Sequence, residues 1–411
     1  MNLASLQAGL ERADVRLDGQ RPWDLQLHDR SVIPDLLRRG SLGLGESYVN
    51  GAWDCEALDD LFTRVLRVGL AQQVGRAPLA SLTRRLGEAL LDHQSRRRAA
   101  AAIQLHYDRE DAIYGAMLDS RRIYSCALWQ QASDLEMAQL HKLTLIGAKL
   151  DLMPGMRVLD IGCGWGGLAA FLADRHGVQV TGITLSQAQW HQVQRRRQGE
   201  WRHLPLRFMR LDYRDIGRLG NGDFDRIVSV GMLEHVGPRH LAGFFQRCRQ
   251  ALVPEGLMLL HTIGSHLTTP ATDGWMDAHV FPDGRLPSPR QLCRALEPWF
   301  LIEDWHNLGS DYDPTLLAWH RNLEQAWPRL LEELAPTLDP QERFRLPRHW
   351  RYYLLSCAGY FRSRQGQLWQ LVLSQAHRPD SRAAAYRSLR PGACPLAPNG
   401  PEDRGGHRGQ R

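Results

Sequence analysis

The sequence predicts an α/β protein with a Rossmann-like sheet of seven strands, preceded by a small N-terminal domain. Two observations support this prediction. From Met156 onward, strand-like and helix-like stretches alternate, as they do in parallel sheets with right-handed crossovers. In addition, the strand at residues 157–161 runs directly into a glycine-rich loop and then a helix, an arrangement typical of sites for nucleotide-like ligands.

The alternation also gives the element boundaries. We predict strands over residues 157–161, 178–184, 206–211, 225–230, 257–262, 301–307 and 367–373, with helices in 314–334 and 340–364. Residues 265–298, rich in Pro, Thr and Gly, interrupt the sheet and are interpreted as a lid or substrate-binding insertion. The predicted organisation is therefore a small lipid-facing N-terminal domain (1–100), a catalytic domain (101–390) and a disordered tail (391–411), the tail being too poor in apolar residues to fold.

Composition and charge limit the kinds of partner. The chain has 411 residues, a formal net charge of +6 and seven scattered cysteines without a CxxC pair. Reduced thiols in the cytosol fit this pattern, and no metal site is expected. The mild positive charge is compatible with an anionic membrane surface as well as with nucleic acid. No run approaches the roughly 20 apolar residues of a spanning helix, so any membrane contact is expected to be peripheral.

A basic amphipathic helix is predicted in residues 76–102 of the N-terminal domain. Leucines 79, 82, 86 and 90 recur at intervals of three and four, and arginines 84, 85, 96, 97 and 98 lie elsewhere. Two interpretations remain: a linking helix with a solvated face, or a helix that attaches the protein reversibly to an anionic membrane.

The glycine loop fits two kinds of cofactor. Its glycines, 162, 164 and 166 or 167, satisfy both the dinucleotide pattern and that of an S-adenosylmethionine (AdoMet) methyltransferase. Asp160 favours AdoMet, because a carboxylate at this position can face the methionine end of that ligand. A dinucleotide site also expects an acidic residue for the ribose, yet there is no Asp or Glu from Arg175 to Gly199. Arg195–Arg197, an alternative NADP phosphate site, lies within a helical stretch and fits a solvated helix face better.

Polar clusters follow three of the later strands, where ligands of open α/β sheets bind. Glu234, His261 and Tyr312 belong to these clusters, and Cys126 lies in a fourth cluster before the sheet. Each has a structural alternative: a helix cap, a core histidine, a turn residue and a small buried hydrophobe. The convergence of the clusters beside a cofactor loop favours a catalytic role.

Taken in order, these motifs resemble the bacterial cyclopropane-fatty-acyl-phospholipid synthases. The motifs that carry the resemblance are His106-Tyr-Asp, Tyr124-Ser-Cys-Ala, Val158-Leu-Asp-Ile-Gly-Cys-Gly-Trp-Gly, Gly182-Ile-Thr-Leu-Ser, Glu234-His-Val-Gly, His261-Thr-Ile-Gly-Ser, Glu303-Asp-Trp-His-Asn, Asp311-Tyr-Asp and Gln367-Leu-Trp-Gln. The match is dense from about His106 to Ser374 and excludes the tail after Arg390. It implies a class I AdoMet methyltransferase fold.

The resemblance also implies a reaction and its residues. AdoMet would give its methyl group to a cis double bond of a phospholipid acyl chain, and a bound bicarbonate would take the proton lost as the ring closes. The bicarbonate would be held by Cys126, Glu234, His261, the Ile263 amide and Tyr312. AdoMet would contact Tyr124, Ser125, Asp160, Gly162, Gly164, Gly166, Thr184, Leu185 and Gln189, with Asp212 and Tyr213 near the adenine. The expected location is the cytoplasmic face of the cell membrane, without a nucleic-acid partner; a homodimer is compatible with the sequence.

One stretch departs from the family pattern. Where the family usually has Gly-Asn-Asp after His106-Tyr-Asp, this chain has Arg109-Glu-Asp-Ala112, which adds bulk and charge at an expected tight turn. Two alternatives stay open. One, which this stretch permits, is a non-catalytic AdoMet or lipid sensor. The other is a fatty-acyl methyltransferase that makes a methyl-branched or methylene product, and it arises because the cation can lose its proton elsewhere. The presence of Cys126, Glu234, His261 and Tyr312 argues against the sensor, since a binder needs no base site.

Overall fold

The computed structural model describes residues 2–70, 111–269 and 272–375. The predicted basic helix at 76–102, the His106-Tyr-Asp motif, Arg109 with Glu110, and the predicted tail lie outside the described residues. The N-terminal part contains four helices and a two-stranded antiparallel sheet. Its elements are α1 (Leu3–Arg12), β1 (Gln26–Leu27), α2 (Val32–Arg39), α3 (Ser41–Val49), β2 (Trp53–Asp54) and α4 (Leu58–Arg67).

The predicted seven-stranded sheet is confirmed. Its strands are β3 (Arg157–Ile161), β4 (Gln179–Thr184), β5 (Leu206–Arg210), β6 (Phe224–Val230), β7 (Leu252–Ser265), β8 (Leu301–Asn307) and β9 (Gly366–Ser374). In space they follow the order β5-β4-β3-β6-β7-β9-β8. The first five are parallel, as the alternation predicts, whereas β9 lies antiparallel between β7 and β8. The sheet is therefore mixed, and β7 is longer than the predicted strand at 257–262.

Helices cover both faces of the sheet and extend beyond it. They are α5 (Asp111–Met117), α6 (Leu135–Lys149), α7 (Gly167–His176), α8 (Gln187–Gln198), α9 (Leu241–Ala251), α10 (Gly274–His279), α11 (Pro289–Leu296), α12 (Tyr312–Glu333) and α13 (Pro340–Arg362). The last two match the helices predicted at 314–334 and 340–364. Two clusters of buried apolar side chains flank the sheet, and strand residues such as Leu159 and Val228 belong to them. The carboxyl ends of β3, β4 and β6 stay open to a ligand.

A third apolar cluster joins the N-terminal part to the catalytic part. Trp53 packs in the same core as Trp319 of α12 and Trp350 of α13. Gly359 lets α13 approach α4 closely, because a Cβ there would lie 2.6 Å from the backbone oxygen of Asp59. Arg362 of α13 pairs with Asp59 as well, at 2.8 Å. The N-terminal part is thus packed onto the long helices, and its predicted lipid-facing role stays a prediction.

The insertion predicted at 265–298 begins where β7 ends and contains α10 and α11. Trp275 of α10 is 1% exposed and packs edge-to-face on Tyr352 of α13, with ring centroids 4.6 Å apart. Farther along, the amide of Arg285 donates to the carbonyl oxygen of Glu234 at 2.8 Å. The insertion therefore connects α13 with the loop that carries Glu234, and its function as a lid stays a prediction.

None of the described helices combines the length and the apolar character that crossing a bilayer requires.

Candidate active site

The glycine loop after β3 has the conformation that its sequence predicts. Gly162, Gly164 and Gly166 have φ values of 83°, 53° and 80°, in the left-handed region that side chains rarely adopt. A Cβ on Gly162 would also lie 2.8 Å from the side chain of Met232. Helix α7 begins at the next residue, Gly167. The loop therefore brings the backbone, without intervening side chains, to the edge of a cavity.

The cavity lies at the carboxyl ends of β3, β4 and β6. Nine of the predicted AdoMet contacts line it: Tyr124, Ser125, Asp160, Gly162, Gly164, Thr184, Leu185, Gln189 and Tyr213. The remaining two, Gly166 and Asp212, are not among the lining residues. Gly166 is the N-cap of α7, and a Cβ on it would lie 3.0 Å from Phe208 and from Trp201, so only glycine fits there easily; its contact with AdoMet stays a prediction. Further lining residues include Lys142, Trp165, Arg214 and Met232, which the sequence analysis did not identify.

Asp160 is a buried carboxyl group in the cavity wall. It is 1% exposed, and its Oδ2 has no hydrogen-bond partner among the described residues. Burial raises the pKa of Asp160 to about 7, because the charged form loses its hydration. A cationic ligand group beside Oδ2 would offset that desolvation, so this position fits the charged methionine end of AdoMet.

The carboxyl end of β4, which forms part of the cavity wall, offers neutral polar groups, as predicted. The Thr184 hydroxyl donates to Oε1 of Gln189 at 2.8 Å, and Ser186 caps α8 by accepting from the Gln189 amide at 3.2 Å. Asp212, by contrast, has a structural role here. Its Oδ1 accepts from the Arg214 amide at 2.8 Å and lies 3.3 Å from Nε of Arg214. Asp212 thus caps the short 3-10 turn that carries Tyr213 and positions this residue beside the cavity.

Glu234 and Ile263 meet next to the cavity, on neighbouring strand ends. Glu234 lies in a 3-10 turn after β6, and its Oε1 accepts from the Ile263 amide of β7 at 2.6 Å. Its Oε2 is buried without a partner among the described residues. Burial raises the pKa of Glu234 to about 7. The Ile263 amide therefore orients Glu234, and the free Oε2 can accept or, when protonated, donate one further hydrogen bond.

His261 presents one free ring nitrogen to the same site. It is 1% exposed, and the side-chain amide of Gln370 lies 3.2 Å from its Nδ1. With the amide nitrogen of Gln370 donating, Nδ1 accepts and Nε2 carries the proton. Burial lowers the pKa of His261 far below its usual range, so the ring is neutral. Nε2, which has no partner among the described residues, is then a free donor.

Cys126 and Tyr312 complete the cluster from outside the sheet. The Cys126 thiol is fully buried and donates to the carbonyl oxygen of Ala127 at 3.3 Å. Burial raises its pKa well above the usual range, so it is a neutral thiol rather than a nucleophile. Tyr312 begins α12 and packs on Phe361, and burial raises the pKa of its phenol well above the usual range, with Cys126 and Glu234 nearby. Cys126, Glu234 and Tyr312 are therefore close enough to interact electrostatically.

Two residues that the sequence analysis missed belong to this region. Lys142 of α6 is 1% exposed and donates to the hydroxyl of Ser125 at 2.7 Å. Tyr353 of α13 has its hydroxyl 2.7 Å from that of Tyr124. Neither lies in a loop motif, and only the packing of α6 and α13 brings them to the cavity. Among the described residues, no group of His, Cys, Asp and Glu is arranged to hold a metal ion.

The sequence profile of the mycolic acid cyclopropane synthetase family matches residues 94–371. The chain belongs to this family. A cyclopropane-fatty-acyl-phospholipid synthase of Escherichia coli (strain K12) is 45% identical over 366 residues, covering 89% of this chain and 91% of that protein. The family resemblance inferred from the motifs is confirmed.

Solved structures of cyclopropane synthases share the fold. The cyclopropane synthase MmaA2 from Mycobacterium tuberculosis superposes with a TM-score of 0.60 at 30% identity, covering 67% of this chain and 98% of its own. The mycolic acid cyclopropane synthase CmaA1, in complex with SAH and CTAB, gives 0.59 at 29% identity with the same coverage. The protein is an AdoMet-dependent methyltransferase with the class I fold, as the glycine loop and Asp160 predict.

Proposed function

We propose that this protein is a cyclopropane-fatty-acyl-phospholipid synthase that transfers a methylene group from AdoMet to a cis double bond of a phospholipid acyl chain. The observation that carries the proposal is a pair of buried polar atoms without partners among the described residues, Glu234 Oε2 and His261 Nε2. Both residues are close in the chain or in the sheet to Val230, Gly231 and Met232, which line the cofactor cavity. Burying such atoms without a partner is unfavourable unless a ligand uses them. The E. coli relative with this activity in its name supports the choice of substrate.

The residues of the cavity have separate roles in binding AdoMet. The glycine loop admits the ligand close to the backbone, and Asp160 faces its cationic end. Thr184 and Gln189, which already bond each other, offer neutral hydrogen-bonding groups. On the other side, Tyr124 packs between Tyr114 and Trp319, with ring centroids 5.1 and 5.2 Å away. These rings exclude water from the place where the methyl group leaves the sulfonium.

Methyl transfer to the alkene produces a carbocation, which water would quench. The alkene attacks the methyl carbon, the sulfonium becomes a thioether, and the ring closes as one proton leaves the new methyl group. The aromatic side chains around Tyr124 and Tyr312 keep this site dry, and their ring faces stabilise positive charge. The chain must also provide a place for the departing proton.

The cluster of Cys126, Glu234, His261 and Tyr312, which we call the base site, has polar atoms that fit bicarbonate. His261 Nε2 and the Tyr312 hydroxyl can donate to an oxyanion, and Glu234 Oε2 can bond its O–H. Bound there, bicarbonate would supply the base for the proton released on ring closure. Gln370 holds His261 in orientation, and the Ile263 amide does the same for Glu234. Neither group needs to be the base itself.

We further propose that the protein works at the inner face of the cell membrane, as a peripheral cytoplasmic protein. Phospholipid acyl chains are located in a bilayer, and the net charge of +6 favours an anionic surface. Sedimentation with anionic vesicles at low salt, weaker at high salt and with neutral vesicles, is the expected result. Equal binding to both vesicle types would contradict the electrostatic attachment. The homodimer stays a prediction, which the sedimentation equilibrium of the purified protein would check.

Lipid analysis of a host that lacks cyclopropane lipids tests the proposed reaction. Expression of the protein should add one CH2 group to unsaturated chains, and ring protons should be visible in the NMR spectrum of the extracted lipids. Expression of Glu234→Gln at the same level is the matched control and should leave the lipids unchanged. Methyl-branched or methylene products would favour the alternative methyltransferase, and unchanged lipids with the wild type would overturn the synthase.

A further inference from the structure

Among the described residues, the cluster of Cys126, Glu234, His261 and Tyr312 contains no positively charged side chain. Cys126 and Tyr312 are held in their neutral forms by burial, and His261 is a neutral imidazole. Glu234 is either neutral or negative. Hydrogen bonds from these groups can orient an anion, but removing its charge from water is costly without a counter-charge. A cation is therefore expected close by.

Lys142 is a buried cation that borders both the cofactor cavity and this cluster. Its Nζ donates to the hydroxyl of Ser125, the residue before Cys126, at 2.7 Å. One turn earlier on α6, Gln139 donates to the carbonyl oxygen of Ser125 at 2.9 Å. Helix α6 thus holds the segment that carries Cys126 through two hydrogen bonds. The bond to Ser125 uses one of the three N–H groups of the ammonium.

We propose that Lys142 binds the anion of the base site and supplies its counter-charge. The inference rests on the proposed function, in which bicarbonate occupies the cluster of Cys126, Glu234, His261 and Tyr312. It adds to that cluster a residue from the middle of a helix, which belongs to none of the motifs at the strand ends.

The electrostatics of the site agree with this placement. Among the described residues, the titratable groups close enough for electrostatic interaction with Lys142 are Asp119, Cys126 and His261. Asp119 exerts the largest attraction, yet its carboxylate accepts from the amides of Ile123, at 2.7 Å, and Arg121, at 3.3 Å. Burial lowers the pKa of Lys142 to about 7. An anion beside Nζ would raise that pKa again, so the ion and the ammonium stabilise each other.

A second buried lysine on the same helix provides the comparison. Lys149 is 3% exposed, but its Nζ pairs with Asp304 at 3.0 Å and lies 3.3 Å from Nδ1 of His306. Its charge is thus neutralised by a side chain of the protein. The hydrogen-bond partner of Lys142 is a neutral hydroxyl instead. Lys149 is a matched control for the loss of a buried lysine from α6.

Bicarbonate binding tests the proposal without relying on turnover. Calorimetry in buffer free of CO2, with S-adenosylhomocysteine in the cavity, gives the affinity of each variant. Lys142→Met should bind bicarbonate about 10- to 100-fold more weakly, as expected for a lost charge-assisted hydrogen bond. Lys149→Met should bind it as the wild type does. Affinity for S-adenosylhomocysteine, measured separately, reports whether the Ser125 segment has moved.

The outcomes distinguish a failure of the proposed bicarbonate base from a failure of the role of Lys142. If the wild type binds no bicarbonate, the proposed base is wrong, and the role of Lys142 fails with it. If the wild type binds and Lys142→Met binds equally well, the inference about Lys142 alone is wrong, and its bond to Ser125 is structural. If Lys142→Met does not fold, ¹⁵N NMR of the wild-type lysine side chain decides, because bicarbonate must raise the pKa of Nζ. An unchanged titration would overturn the proposal.

Discussion

Replacement of Asp160 by asparagine should make the ligand-free protein more stable at alkaline pH while weakening AdoMet binding. The side chain is 1% exposed, and burial raises its pKa from the ordinary 3.8 to about 7. The folded state therefore holds the Asp160 proton more tightly than the unfolded state does. Burial of Asp160 therefore leaves the free energy of unfolding unchanged below about pH 4 and lowers it as pH rises to about 7.

The magnitude follows from that pKa difference. One pKa unit corresponds to about 1.4 kcal/mol, so the buried carboxylate lowers the free energy of unfolding by about 4 kcal/mol above pH 7. Near pH 5.5 the same linkage gives a penalty of about 2 kcal/mol. The asparagine side chain does not titrate, so the stability of Asp160→Asn relative to the wild type should grow by about 2 kcal/mol between pH 5.5 and pH 8. This difference is independent of any fixed cost of the buried amide.

Urea denaturation at the two pH values measures the stability, and calorimetry with AdoMet measures the binding. AdoMet should bind the variant more weakly at pH 8, because the carboxylate that faces its cationic end is gone. An identical pH dependence of unfolding in both proteins would show that Asp160 does not titrate as a buried group. Unchanged AdoMet affinity would remove Asp160 from the cofactor site.

Three further changes test the base site. Glu234→Gln keeps the shape of the side chain but removes its charge, so ring formation should cease while the circular dichroism spectrum stays that of the wild type; wild-type turnover by the folded variant would exclude Glu234 from the mechanism. Tyr312→Phe deletes one donor, and bicarbonate affinity should fall by about 1–3 kcal/mol. Its activity should recover partly in high bicarbonate, whereas that of Gln189→Ala should not; a rate independent of bicarbonate in both would leave His261 or Glu234 as the direct base. Gln370→Leu releases Nδ1 of His261 and should weaken bicarbonate binding about tenfold, and equal affinity would show that the tautomer is set elsewhere.

Periodicity predicted the strands well but not all of their partners. The five strands from β3 to β7 follow from alternating apolar stretches, because the segments that connect them pack back on the sheet. The position of β9 does not follow in this way. Antiparallel insertion between β7 and β8 depends on the packing of the long helices α12 and α13, which precede β9. No local pattern records that packing.

The residues of the candidate site also differ in whether the sequence could predict them. Glu234 and His261 were predictable, because polar residues directly after buried strands meet at one sheet edge. Lys142 was not, since a lysine on a helix is usually solvated and only the burial of α6 reveals it. Gln370 depends on register: it lies opposite His261 in the β7–β9 pairing. Asp212 caps the turn that carries Tyr213, and its expected position near the adenine stays a prediction.

The central position of β9 has a consequence for how the enzyme is made. This strand pairs with β7 along nine residues and with β8 on its other side, yet it is among the last described segments of the chain. During synthesis, the edges of β7 and β8 that pair with β9 stay unpaired until residues 366–374 leave the ribosome. His261 meanwhile lacks Gln370, so a nascent chain can form the glycine loop long before it can complete the base site. The site proposed to take the proton is thus completed after the loop that binds the cofactor.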